Sequence, residues 1–249
     1  MKKLFYIVIV VFVFGCDSED GFDCFQTTGN IIQQQFTATN FERITINRNV
    51  ELILKEGPQF EVIIEAGENL IGDVDVVVIE NQLTITDHNT CNLVRDYIST
   101  KAYVTAPNII EIRNSSQFTV SSIGALTFPS ITLISEDFNS FQEFTVGDFR
   151  LTFDNDFVEV ISNNISSFYL TGQTINLEIG FFSGTGRFEG ATFEAQHINV
   201  FHRGSNDMIV NPQQSLTGEL RGTGNLISLS QPPLVNVEQF YTGELIFQD

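Results

Sequence analysis

Residues Thr174–Val200 read TINLEIGFFSGTGRFEGATFEAQHINV. An apolar–polar–apolar triplet, Ile175-Asn176-Leu177, lies at the start of the stretch, and a second, Ile198-Asn199-Val200, closes it. Between them sit the turn Gly184-Thr185-Gly186 and a shorter run at Arg187–Glu189. Apolar residues at every second position mark strands half-buried against a core, because successive side chains of a strand point to opposite faces. Upstream, Phe149-Arg150-Leu151 and Ile131-Thr132-Leu133 repeat the pattern. The triplets recur at a spacing of roughly 20 residues, the length of one coil in a chain that winds strand upon strand. Further runs fill the intervals at Phe141–Val146, Phe157–Ile161, Ser167–Leu170 and Asp207–Val210, with Asn, Ser and Gly at the joints. The expectation is an all-β chain and, within that class, a β-helix or β-solenoid. The 24 Phe residues fit it, since stacked inward positions accept ladders of rings. A Greek-key sandwich is the alternative that short, evenly spaced strands also allow.

The N-terminal half alternates without that repeat. Ile44 and Ile46 begin it, followed by Val50, Leu52 and Leu54, then Phe60, Val62 and Ile64. Val74, Val76 and Val78 come next, then Leu83 and Ile85. Turns at Glu56-Gly57-Pro58, Ala66–Asn69 and Glu80-Asn81-Gln82 separate these runs, and Asn69–Gly72 suits one short helical turn. The expected organisation is a less regular strand-rich part over 22–105 and a β-solenoid part over 106–249.

The first residues have another texture. Lys2 and Lys3 precede an unbroken apolar run, Leu4–Phe14, that is too short to span a bilayer as a helix and reads as a secretory signal over 1–15. Val13-Phe14-Gly15-Cys16 resembles a bacterial lipobox, which implies cleavage before Cys16 and lipid on its thiol; the alternative is an ordinary cleaved signal. Three acyl chains anchor firmly where one does not. Asp17-Ser18-Glu19-Asp20 makes 16–21 an acidic tether and resembles a surface-export signal of Bacteroidota lipoproteins. With Cys16 acylated, Cys24 and Cys91 remain, an even pair in an oxidising compartment, and a disulfide between them is expected; two free thiols are the alternative.

Twelve Lys and Arg stand against 31 Asp and Glu, a net charge of −19 that becomes −21 once Lys2 and Lys3 are removed. No basic footprint for nucleic acid exists, and the membrane is reached through the lipid anchor only. Gly184-Thr185-Gly186 and Gly222-Thr223-Gly224 lack the strand–helix setting and the Lys of a phosphate loop; they read as turns at equivalent places in the coils. His88, His197 and His202 are scattered and read as surface or turn residues, so no metal and no cofactor is expected. Asp154, Asp156, Glu194 and Asp207 are the carboxylates a glycan-processing enzyme would draw on, but a glycosidase needs two of them held about 5–10 Å apart in a cleft. No nucleophile elbow or paired Cys/His arrangement is present, and no catalytic residue is assigned. Arg150, Arg187, Arg203 and Arg221 could stack into a ladder along one face. Phe141, Phe144, Tyr169 and Tyr241 are the candidate ligand-contact aromatics.

Five stretches carry a resemblance. They are Cys24–Gly29 (CFQTTG), Phe41–Leu54, Glu65–Ile71 (EAGENLI), Cys91–Tyr97 (CNLVRDY, with Leu93 in place of an aromatic), and Leu216–Leu229 with Pro232-Pro233. In order and spacing they resemble the auto-transporter adhesin, head GIN domain family of Bacteroidota envelope lipoproteins. The resemblance implies a β-helical body, residence in the envelope and an adhesive role, and it supplies no catalytic residues. The expected function is a non-catalytic, adhesin-like binding or structural role at the outer membrane. The protein would be lipid-anchored and displayed at the cell surface, with the periplasmic face as the other option. Its partner would be a glycan, matrix or envelope protein. A glycan-processing enzyme on a β-helix scaffold is the alternative.

Overall fold

The computed structural model describes residues 24, 26–89, 91–93, 99–137 and 144–248. The signal segment, the tether with Cys16, and Phe141 lie outside these residues. The described chain is all-β, with a 3-10 turn at Ile71–Asp73 close to the one expected.

The N-terminal strands are β1 (Ile31–Phe36), β2 (Arg43–Asn47), β3 (Val50–Glu56), β4 (Glu61–Gly67), β5 (Val74–Ile79), β6 (Gln82–Asp87) and β7 (Thr100–Ala106). Antiparallel pairing is found here: β4 lies between β1 and β7, and β5 folds back on β6. Three further strands, β8 (Glu111–Ser115), β9 (Val120–Leu126) and β10 (Ser130–Ser135), lead into four long ones. These are β11 (Phe149–Ser162), β12 (Ser167–Phe181), β13 (Arg187–His202) and β14 (Met208–Leu220). Short β15 (Leu226–Ser228), β16 (Leu234–Gln239) and β17 (Leu245–Phe247) follow.

From β8 onward the pairing is parallel, and β2 and β3 join it through β6, β8, β7 and β9. Each long strand is shared between two ladders. The first half of β11 pairs with β9 and its second half with β10, and β14 divides in the same way between β15 and β16. The first ladder sets Phe149, Phe168, Phe188, Met208, Leu226 and Leu245 on one another, at steps of 18–20 residues. The second sets Val158, Leu177, Ile198, Leu216 and Val235 in register.

Alternation in the sequence becomes alternation in burial. Val50, Leu52 and Leu54 are fully buried, whereas Glu51 and Ile53 between them are not. The Phe residues stack as expected: Phe149 and Phe168 lie 4.7 Å apart with ring planes 8° from parallel, and Phe181 leans on Phe168 at 5.7 Å. Burying each such ring contributes about 1.5–3 kcal/mol. The series of triplets, however, crosses ladders. Phe149-Arg150-Leu151 belongs to the first, while Ile131-Thr132-Leu133 and Ile198-Asn199-Val200 belong to the second. Ile175 is exposed and only Leu177 of its triplet enters the core.

Turns between the long strands stack too. Gly224 N–H donates to Gly204 O, and Ser205 N–H to Gly184 O. Gly184 has φ +87°, which favours glycine; at Gly222 and Gly224 a Cβ would lie 2.1 Å from the carbonyl oxygen of the turn beneath. The two Gly-x-Gly sequences are thus joints of the stack. At the other end, a Cys24–Cys91 disulfide ties the first described residue to the segment before β7, supported by Leu93 N–H on Cys24 O.

Candidate functional site

Strands β12, β13, β14 and β16 end on the same side of the second ladder. Gly180, Phe201, Glu219 and Glu238 are in register across them. Two residues further on, Phe182, Arg203, Arg221 and Phe240 form the next column, linked by backbone bonds from Arg203 N–H to Phe181 O, Arg221 N–H to His202 O and Phe240 N–H to Leu220 O. Because side chains alternate, placing Phe181, His202 and Leu220 inside puts their neighbours outside. Adjacent strands are about 4.8 Å apart, so the column spans roughly 14 Å across four strands.

The result is an exposed strip of rings and guanidinium groups. Phe182 lies against Phe201 with centroids 5.3 Å apart, over Gly180, where a Cβ would come within 2.8 Å of the Phe182 ring. Arg221 holds its guanidinium carbon 4.0 Å above the Phe240 ring and donates from Nε to Glu219 at 2.5 Å. Phe201, Arg203, Glu219, Arg221, Phe240 and Tyr241 line an open depression of about 490 Å³. Phe240 is 50% exposed and Tyr241 64%. Arg203 has no side-chain hydrogen bond or ion pair among the described residues, whereas Arg113, Arg150, Arg187 and Arg221 each meet a carboxylate at 2.5–3.8 Å.

Of the candidate aromatics among the described residues, Tyr241 alone reaches this depression. Tyr169 lies on the first ladder, covered by the Arg150 guanidinium at 3.9 Å, and Phe144 is exposed ahead of β11. The four arginines do not form one ladder. Arg203 and Arg221 are neighbours on successive strands, but Arg150 and Arg187 sit on the first ladder with Asp148 and Glu189. Phe182, Phe201 and Phe240 were missed; the doublet Phe181-Phe182 carried a signal, since adjacent residues along a strand direction cannot both face inward.

The acidic residues stand in the open. Asp154, Gln173 and Glu194 occupy successive strands beside a shallow depression of about 420 Å³, and Gln173 donates to Asp154 at 2.8 Å. Asp156 is also exposed, and Asp207 accepts both the backbone N–H and the side-chain amide of Asn225. No group of three His, Cys, Asp or Glu among the described residues could hold a metal ion. His88 lies 2.9 Å from Asp75 and His197 2.9 Å from Ser215, both exposed. His202 corrects the surface reading, being 0% exposed in the core. Burial lowers its pKa, opposed in part by its bond to Asn206 O and by the Asp207 charge. Nε2–H donates to Asn206 O, and Nδ1 accepts from Gly204 N–H, which fixes a neutral ring.

Fold and surface together define an all-β module with stacked parallel strands and exposed aromatic and arginine side chains along its outer face. The chain belongs to the family described as "Putative auto-transporter adhesin, head GIN domain", whose model matches residues 40–232. Its fold is similar to that of a putative adhesin from Bacteroides fragilis, at 16% identity and a TM-score of 0.79, covering 89% of this chain and 99% of that one. A putative lipid binding protein from Parabacteroides distasonis shares 11% identity with a TM-score of 0.63, covering 90% and 99%. A putative adhesin from Parabacteroides merdae shares 12% with a TM-score of 0.57, covering 90% and 98%. No curated protein matches the sequence. Among the described residues no helix is long and apolar enough to cross a membrane.

Proposed function

We propose that the protein is a non-catalytic, adhesin-like module of the cell envelope, which makes contact through the strip from Phe182 to Tyr241. Its body is a β-solenoid over 106–249 preceded by a strand-rich part over 22–105. The parallel steps of 18–20 residues favour this reading over a sandwich. Cys16 carries the lipid anchor to the outer membrane, and the acidic tether holds the body away from it at the cell surface. Membership of an adhesin-like family supports the envelope setting. The observation that carries the contact reading is the exposed aromatic and guanidinium strip on a chain of net charge −19. Aromatic and Arg side chains are the ones that most often dominate contact energies.

The test is a panel of immobilised glycans, matrix proteins and envelope proteins, read for retention of the protein and for release of reducing ends. Wild type is expected to be retained without release, and a Phe182→Ser, Phe201→Ser, Phe240→Ser variant to be lost. Release of reducing ends that disappears in Asp154→Asn would establish the enzyme reading instead.

A further inference from the structure

We propose that the depression between Phe201 and Tyr241 is a subsite for the carboxylate-bearing sugar of an acidic glycan. The inference rests on the contact reading above and names its ligand. Arg203 and Arg221 are neighbours on adjacent strands, and like charges so placed repel. Glu219 engages Arg221 through Nε alone, and the Phe240 ring covers one face of that guanidinium. The Arg203 guanidinium and the terminal nitrogens of Arg221 have no partner among the described residues. A carboxylate bound there gains charge-assisted hydrogen bonds and relieves the repulsion, and a guanidinium fork matches carboxylate geometry.

The rest of the depression selects what carries the carboxylate. Phe240 and Tyr241 offer largely exposed rings, on which a flat, partly apolar body can lie. A pyranose bearing a carboxylate presents both a C–H face and the anion. An extended peptide that recognises by strand addition needs an unpaired edge. Strands β13 and β14, which carry Phe201 and Glu219 and end just before Arg203 and Arg221, are paired on both sides, whereas β16, which ends just before Phe240, is paired through β14, so a peptide is left to the tri-glutamate probe below. Glu238, in register with Glu219, and the overall charge of −19 work against a dense polyanion such as DNA. The site therefore takes an isolated acid within a glycan.

Isothermal titration of the folded protein tests this. The probes are trisaccharides in which one sugar is galacturonic, glucuronic or mannuronic acid, their all-neutral hexose counterparts, and a tri-glutamate peptide. At least one uronate-bearing trisaccharide is expected to bind at least about tenfold more tightly than its neutral partner, with affinity falling as salt rises. Arg203→Gln and Tyr241→Ala are each expected to weaken it about tenfold, while Arg150→Gln leaves it unchanged. Equal binding of the neutral trimers overturns the acid preference but leaves the contact reading standing. Equal binding of tri-glutamate overturns the sugar class. If no probe binds at millimolar concentration, the subsite is refuted, and retention on the immobilised panel then separates that failure from failure of the contact reading.

Discussion

Phe168, in β12, and Phe182, just after it, are both phenylalanines, and truncation should cost far more at the first than at the second. Phe168 is 0% exposed, in register between Phe149 and Phe188, stacked on the first at 4.7 Å and met by Phe181 at 5.7 Å. Phe168→Ala removes the ring from the middle of the column and leaves a cavity whose walls are strands that cannot easily move together. Truncations of this kind cost about 3–5 kcal/mol. For a chain of this size that lowers the melting temperature by roughly 10 °C. Because Phe168 lies in register with both Phe149 and Phe188, the damage falls on both neighbouring strand interfaces. Phe182 is 38% exposed with its ring on Phe201 at the surface. Phe182→Ala should cost about 1 kcal/mol, the order of one exposed aromatic pair. Chemical denaturation of both variants, followed by circular dichroism, measures the difference. Equal losses, or a loss under about 1 kcal/mol for Phe168→Ala, would refute the assignment of inward and outward faces.

Two further expectations concern pH and crosslinking. Above the unfolded value near 6.5, His202 is neutral in both states and adds no pH dependence. As pH falls below it, the unfolded chain takes up a proton that the buried ring resists, so stability drops until the depressed folded pKa is reached. A proton on Nδ1 would also meet the Gly204 N–H. Melting curves from pH 7.5 to 5 should therefore fall more steeply for wild type than for His202→Leu; parallel slopes would contradict the buried neutral ring. The Cys24–Cys91 disulfide closes a separation of 67 residues, and the chain-entropy model assigns such a crosslink about 4 kcal/mol. Cys24→Ser with Cys91→Ser should lower the denaturation midpoint and speed amide exchange at residues 26–30 first, and unchanged exchange there would show that the crosslink does not hold this segment.

The strand class was legible because burial follows alternation residue by residue, as in Val50–Leu54 and again in Val158 and Val160. The disulfide was legible from counting, once Cys16 was set aside. Register was not. Each long strand carries two segments of similar pattern, one for each ladder, so a spacing near 20 can be counted just as well between segments of different ladders. Phe149 and Ile175 look equivalent as triplet leaders, yet Phe149 pairs with Phe168 and is buried, while Ile175 is exposed. The steps in these ladders also vary between 17 and 21 residues as corners gain or lose a residue, which blurs the period further. His202 escaped for a related reason. Its neighbours Arg203 and Gly204 suggest a turn, but its place between Phe181 and Leu220 in the ladder makes it an inward residue at the last position of β13.

The contact strip could be read only in part, and the reason is geometric. Phe182, Arg203, Arg221 and Phe240 come from four segments of chain, and they meet because successive strands are laid in parallel with nearly equal steps. No contiguous motif can encode such a site; it exists only once each step is known to the residue. The interval between Arg203 and Arg221 is one such step, and these two do become neighbours. The intervals that link Arg150 and Arg187 to them also look plausible, but they lead to the other ladder, where Asp148, Glu189 and Tyr169 already occupy those guanidinium groups. What distinguishes the two pairs is the free valence left over. Arg150 meets a ring and a carboxylate, Arg187 meets a carboxylate, and Arg203 meets neither among the described residues. In a chain with 31 acidic residues, a guanidinium that meets no carboxylate among the described residues and is set among exposed rings is the feature on which the proposed subsite rests.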